Sequence, residues 1–380
     1  MLDEIAPPGL YGIRLDLDAH NWGGRSATWF NDDMRSWQQA MAERGWTAPT
    51  WPAEYGGAGW SAEQASVLSD ELRRRRLPPP LVGIGLAVAG PVLLRFGSEE
   101  QKRRHLPAIA RGEARWCQGF SEPEAGSDLP NLKTRAEQQG DSYVVRGQKV
   151  WTSHAHLSDW MLALVHTGAQ AAKRLGITSL LIDMTSPGIT TRPIRLISGA
   201  SPFCETFFDD VEVPAGNVVG AVNGGWEVAR FVFRCERDML GAIVVGDQKA
   251  EPLASFARRY LPSEDGRIVD TEMRRAIAQS EMDSRAYEFL AAGKAARTVD
   301  ANLLKLYSSE LNQRRLDLRQ DIAGLAATAL DGPGAKDDEV RLARTWLRSR
   351  AYSIEGGTSE IMLNTISRRT LGLPTGSGDQ

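Results

Sequence analysis

The strongest limit on this chain's fold is where its β-prone residues lie. From about residue 115 to 220 they are gathered into one block of short, turn-punctuated segments, with no helix-like stretch among them. Leu132–Ala136 and Tyr143–Val150 flank Gly140 and Asp141, which predicts a hairpin. Trp160–Val165, Ser179–Asp183, Ile189–Ile194 and Thr206–Val213 continue the series. Strands grouped in this way do not form βαβ units, so a doubly wound parallel sheet is excluded and a separate β domain is expected.

The sequence on either side reads as helix. Phe30, Met34, Trp37 and Met41 have the period of one buried helix face, and Gly45 is a stop. Ser61 with Gln64, and Ser98 with Gln101, fit capping boxes. Beyond Gly225, segments near 225–260, 269–296, 300–330 and 338–352 are long and mostly free of proline, as a four-helix bundle requires. The expected architecture is multi-domain α+β. It has an N-terminal helical domain (1–113), a middle β-barrel or sandwich domain (114–222) and a C-terminal four-helix bundle (223–380). At 380 residues the chain exceeds the size at which one core usually divides.

Charge and composition remove several function classes. With 45 basic and 48 acidic residues the net charge is −3, so no global positive field exists to hold nucleic acid. The run Arg73–Arg76 reads as a solvated helix C-terminus, where cations suit the macrodipole. No run of about 18 apolar residues suggests a membrane span, and an acidic N-terminus does not resemble a signal peptide, so the chain reads as cytoplasmic. Three dispersed cysteines argue against a disulfide framework. Gly57, Gly59 and Ala62 match a loose dinucleotide fingerprint, but without a preceding buried strand they read as a turn before a helix. His154 and His156 lack a carboxylate cluster beside them, and no metal is expected.

Three stretches together carry chemistry. The first runs from Gln118 through Gly119, Phe120, Ser121, Glu122 and Pro123 to Ala125, Gly126, Ser127 and Asp128. The second is Gly147, Gln148, Lys149, Val150, Trp151, Thr152 and Ser153. The third, near the end, is Ile354–Ile361 followed by Arg368–Pro374. Trp51, Pro52, Tyr55, Gly56 and Gly57 accompany them. In this order and spacing the set resembles the acyl-CoA dehydrogenase family over nearly the whole chain. A flat isoalloxazine needs close-approaching backbone and short hydroxyls along its polar edge, with an aromatic wall beside it. By residue type alone Trp151 is equally a core tryptophan.

The resemblance implies FAD as cofactor and α,β-dehydrogenation of an acyl-CoA thioester, with a place in lipid or steroid catabolism. It assigns Gln118, Phe120, Ser121, Trp151, Thr152 and Ser153 to the flavin, Thr358 and Glu360 to its phosphates, and Ser127 and Arg237 to the substrate. An electron-transfer flavoprotein or similar acceptor takes the electrons. A flavin oxidase or monooxygenase on the same fold, and a non-catalytic subunit of a heteromeric dehydrogenase, are alternatives.

The base is a carboxylate in a nearly dry pocket. In much of the family it lies two residues before the closing threonine, where this chain has Gly356, with Glu355 one residue earlier. Other members place it on a bundle helix before an arginine, and Glu236-Arg237 matches that pattern. Glu236 is therefore expected as base and Glu355 is the alternative; Glu236 and Arg237 also fit a structural ion pair. Family stretches of the type Arg-x-x-Phe-Gly and Gln-x-x-Gly-Gly normally reach a neighbour's cofactor. Ala257–Pro262 and Gln320–Ala327 do not match them. A homologous second subunit, giving a heterotetramer, is expected slightly ahead of a homotetramer in which Arg258 or Arg259 does the same work.

Overall fold

The computed structural model describes residues 2–13, 15, 20–168, 174–248, 251–291, 300–332 and 334–374, with side chains of 237–248 excepted. Two compact units result. One comprises Met1–Ile194 with Ser201–Cys235, the other Arg195–Ala200 with Glu236–Gln380.

The first unit begins with α1 (Leu2–Ile5), α2 (Asp32–Glu43), α3 (Ala62–Arg75), α4 (Gly90–Phe96) and α5 (Glu99–Ala110). Both capping boxes are present. Ser61 and Gln64 satisfy each other's backbone N–H at the start of α3, and Ser98 and Gln101 do so for α5. Met34, Trp37 and Met41 are buried on α2 as their period predicts. Phe30 departs from that expectation. The Asn31 side chain accepts the Met34 N–H and starts the helix one residue later, leaving Phe30 outside it and 57% exposed. The arginine run ends α3, with Arg73, Arg74 and Arg75 paired to Asp70, Glu71 and Asp3.

One eight-stranded sheet follows: β1 (Trp116–Gly119), β2 (Arg135–Gln139), β3 (Ser142–Ser153), β4 (Trp160–His166), β5 (Ile177–Asp183), β6 (Ile189–Ile194), β7 (Phe203–Pro214) and β8 (Val218–Val219). Its order is β6-β7-β3-β2-β4-β5-β8, with β1 lying parallel on β4. The hairpin turns at Gly140, which takes φ +60°, and pairs Gln139 with Ser142. Four-residue β1 was not expected; it pairs with β4, far along the chain, which leaves no local signal.

Helix α6 (Gly225–Gln248) begins in the first unit. In the second unit α7 (Leu253–Ala257), the small hairpin β9 (Ser263–Glu264) and β10 (Arg267–Ile268), α8 (Thr271–Ala291), α9 (Ala301–Ala323), α10 (Asp337–Ser349) and α11 (Ser359–Thr365) complete the chain. The expected helix over 225–260 is divided, with Pro252 capping α7. Leu253, Phe256, Ile277, Leu316, Ile322 and Leu342 meet in one core. The low-complexity tail from Thr375 lies outside the described residues.

Candidate functional site

Strand β3 carries the second motif, and its geometry depends on a bulge. Lys149 pairs with Thr206 and Thr152 with Cys204, so two β3 residues oppose one on β7. In a regular strand Lys149 and Thr152, three apart, would face opposite ways. The extra residue restores phase, and both are fully buried. Trp151 takes up the irregularity at φ +59°, where a bulky side chain is strained. Its indole is nonetheless 54% exposed, edge-on to Phe203 at 6.0 Å. A large aromatic held in a disfavoured backbone state and left facing solvent is not a core residue.

Alternation beyond the bulge separates the two hydroxyls. Ser153 is half-buried and lies on the face of Trp151, whereas Thr152 points inward and its Oγ1 has no hydrogen-bond partner among the described residues. Ser153 is therefore the hydroxyl beside the indole.

The first motif lies against this strand. Gln118 is half-buried on β1, and Phe120 is buried with its ring edge-on to Phe233 of α6. The Val150 N–H donates to the Ser121 carbonyl at 2.9 Å. Lys149 Nζ donates to the Phe120 carbonyl at 3.0 Å and to Glu122 Oε1 at 2.7 Å. Glu122 also accepts the N–H groups of Lys133 and Thr134. Burial pushes the Glu122 carboxyl up, but Lys149 and the hydrogen bonds from Thr134 and Lys133 outweigh it and hold it below the usual carboxylate range. Burial draws Lys149 down, opposed by Glu122. Neither residue was singled out from the sequence, although a lysine at an inward strand position is a signal. Ser127 and Gly126 stand exposed on the same loop.

The closing motif belongs to the second unit. Thr358 caps α11 by accepting the Ile361 N–H at 3.2 Å. Glu360 is exposed, and hydrogen bonds from its own backbone N–H and from Thr358 hold its carboxyl below the usual range. Glu355 is half-buried and accepts from Arg348 Nη2 at 2.8 Å. Gly356 and Gly357, at φ +65° and +105°, occupy left-handed positions that favour glycine. The loop is anchored by Lys305, 3% exposed, whose Nζ donates to the carbonyls of Tyr352 and Gly357 at 3.0 and 2.6 Å. Glu236 is half-buried on α6; the Arg237 side chain lies outside the described residues.

The two histidines that lie two apart make other contacts. His154 packs on Trp22 at 4.6 Å and His156 Nδ1 meets Cys204 Sγ at 3.1 Å. Among the described residues no group of three His, Cys, Asp or Glu is placed to hold a metal, and no helix is long and apolar enough to cross a membrane.

An exposed strained tryptophan, an adjacent hydroxyl and a backbone strip pinned at two carbonyls fit an isoalloxazine edge. Comparisons with known proteins give the family. The chain matches the N-terminal domain of acyl-CoA dehydrogenases at residues 18–113, the middle domain at 117–211 and the C-terminal domain at 223–371. Acyl-CoA dehydrogenase IpdE1 of Mycobacterium tuberculosis is 36% identical over 345 residues, covering 90% of this chain and 89% of that protein. The steroid ACAD Tcur3481-Tcur3483 superposes with TM-score 0.79 at 27% identity, covering 91% and 90% of the two chains. The ChsE4-ChsE5 complex of Mycobacterium tuberculosis gives 0.75 at 29% identity, covering 90% and 91%.

Proposed function

Because the chain belongs to the acyl-CoA dehydrogenase family, we propose that it desaturates a bulky, ring-bearing acyl-CoA thioester of steroid type, with Glu236 as base and as part of a heteromeric assembly. Its three domains are taken as 1–113, 114–222 and 223–380. Members of the family are FAD-dependent oxidoreductases.

The reading is carried by the bulge that leaves Trp151 exposed beside Ser153. Trp151 is the wall for the isoalloxazine, and Ser153 the hydroxyl beside it. Gln118, Phe120 and Ser121 supply the strip along its edge. Thr152, turned inward, acts from behind by packing. Thr358 takes the phosphate contact; an ionised Glu360 would meet a phosphate as like charge and stays with the helix cap. FAD, when bound, accepts the hydride leaving the β-carbon. Ser127, exposed on its loop, receives the acyl-CoA chain, and Arg237 is assigned to the substrate with it. Glu236 takes the α-proton on a carboxylate oxygen. Glu355 is the weaker candidate because its Oε2 is already engaged by Arg348.

The ring-bearing substrate class and the two-chain assembly are supported by the steroid ACAD Tcur3481-Tcur3483 and the ChsE4-ChsE5 complex. Of the two arginines that could act in a homotetramer, Arg259 favours a second chain. Arg259 is shared between Glu251 and Asp338 at 3.0 and 2.9 Å and lies over Phe256 and Tyr260. It is thus committed inside its own unit. Electrons then pass to an electron-transfer flavoprotein or similar acceptor.

The test is the visible spectrum of the purified protein, alone and with its partner, titrated anaerobically with straight, branched and ring-bearing CoA esters. Bleaching by the ring-bearing esters is expected. A protein that stays colourless in both preparations overturns the reading, and a stable tetramer of this chain alone with one FAD each overturns the heteromer. Glu236→Gln lowers turnover about 10²–10⁴-fold with flavin retained, while Glu355→Gln is mild.

A further inference from the structure

Two consecutive residues of β3, where the bulge begins, each hold one carbonyl of the neighbouring loop. Val150 takes Ser121 through its backbone N–H, and Lys149 takes Phe120 through its ammonium. An ammonium in a fully buried strand position is a costly device for a single carbonyl. Simple packing would use an apolar residue there, since the inward neighbours Tyr143 and Val145 belong to the sheet's apolar core. Glu122 offsets the charge, and its carboxylate also gathers the N–H groups of Lys133 and Thr134. The pair therefore joins three segments: the 120–122 loop, residues 133–134 just before β2, and the strand that carries Trp151. A reciprocal backbone pairing between Glu122 and Ala125 closes the loop on its far side.

We infer that Lys149 and Glu122 are positioning residues that hold the Phe120–Ser121 backbone at the spacing from Trp151 required to receive the isoalloxazine edge. Neither touches the ring; they act through the strip. The inference rests on the flavin reading of that strip. A ligand edge of fixed thickness tolerates little drift between its wall and its hydrogen-bonding backbone, and here both are anchored to adjacent β3 residues. Lys149 thus converts strand geometry into site geometry.

The experiment uses the full chain, with its partner if one is needed for FAD. Lys149→Met removes the tie and strands a carboxylate. Lys149→Met with Glu122→Gln removes the tie without leaving a buried charge, although the glutamine Oε1 can keep only one of the Lys133 and Thr134 N–H groups that the two carboxylate oxygens share. Glu122→Gln alone keeps the Phe120 contact. Three quantities are read: urea midpoint, FAD affinity of the apoprotein by flavin fluorescence, and amide exchange of Ser121–Ala125. The double variant should recover much of the midpoint lost in Lys149→Met, yet bind FAD at least roughly tenfold more weakly, about 1.4 kcal/mol, with faster exchange in the strip. Glu122→Gln alone, which leaves Lys149 on the Phe120 carbonyl but without its carboxylate, should lower the midpoint and weaken FAD binding less than the double variant. A loss of FAD affinity as large as the double variant's would overturn the part given to Lys149. Wild-type affinity and wild-type exchange in the double variant would overturn the inference and leave the pair as core packing. Should the wild-type chain take up no FAD, the flavin reading fails by itself. The exchange comparison then still decides whether Lys149 holds the strip.

Discussion

The two units solve the same problem with different chemistry. Each ties a motif loop to a regular element through a buried lysine, Lys149 in the sheet-bearing unit and Lys305 in the helical one. Lys149 faces a carboxylate at 2.7 Å as well as a carbonyl. Lys305 faces two carbonyls, and the nearby Glu355 gives its own hydrogen-bond acceptance to Arg348. Burial lowers the pKa of both, and in each case the neighbouring glutamate opposes it. An ion pair locks side chain to side chain, and removing one member leaves the other charged and dry. A lysine solvated by carbonyl dipoles locks backbone to side chain, and its removal leaves only dipoles unsatisfied.

That contrast sets the largest expected effects. Lys149→Met should destabilise by about 3–5 kcal/mol because Glu122 is left buried and unpaired. Lys305→Met should lose about 1–3 kcal/mol, the penalty for unsatisfied carbonyls. Urea denaturation of both variants checks the order. Equal losses would mean that Glu355 is the true partner of Lys305 and would erase the distinction.

Acid sharpens it next. All five histidines lie in the sheet-bearing unit and none in the helical one. Burial, helped by Arg104, lowers His105 from 6.5 to about 4, and burial with Arg115 and His156 does the same for His154. The folded values lie below the unfolded one, so between pH 6.5 and 4 the unfolded chain binds more protons and stability falls as pH falls. The full loss is on the order of 3 kcal/mol per residue. Ten of the eleven tryptophans lie in that unit and only Trp346 in the helical one. Fluorescence of a Trp346→Phe variant should therefore report loosening from pH 6.5 downward. Amide exchange over α8–α10 should stay flat through the same window; loss of protection there at equal pH would defeat the comparison.

Caps give the smallest difference. Ser98→Ala removes a capping-box bond whose partner Gln101 also holds the Gly216 and Val218 carbonyls. It should lower global stability by about 1 kcal/mol. Thr358→Ala removes one bond from a seven-residue helix. Its loss, of about the same size, should appear as local exchange in α11 with the urea midpoint little changed. A midpoint shift equal to that of Ser98→Ala would show that α11 is not a separable element.

What the amino-acid sequence determined here is what neighbouring residues decide among themselves. Both capping boxes, the Gly140-Asp141 turn, the buried face of α2 from Met34 and the order helix, sheet, helix follow from residues within about four positions of one another. The residues proposed to meet the flavin were legible too, through the family resemblance of their motif. Tertiary structure alone decided which way those residues point. No local signal marks β1, whose pairing is with β4 more than forty residues on. Nothing near Thr152 announces that the opposing β7 register, with one residue across from two, turns it inward and leaves Ser153 beside the exposed indole. Glu122 and Lys149 are 27 positions apart in sequence, and only the folded sheet brings their charges together. Propensities act through local backbone sterics and hydrogen bonds, so they are written along the chain. Register and buried charge pairing depend on which distant strands meet, and that is settled only when the core closes.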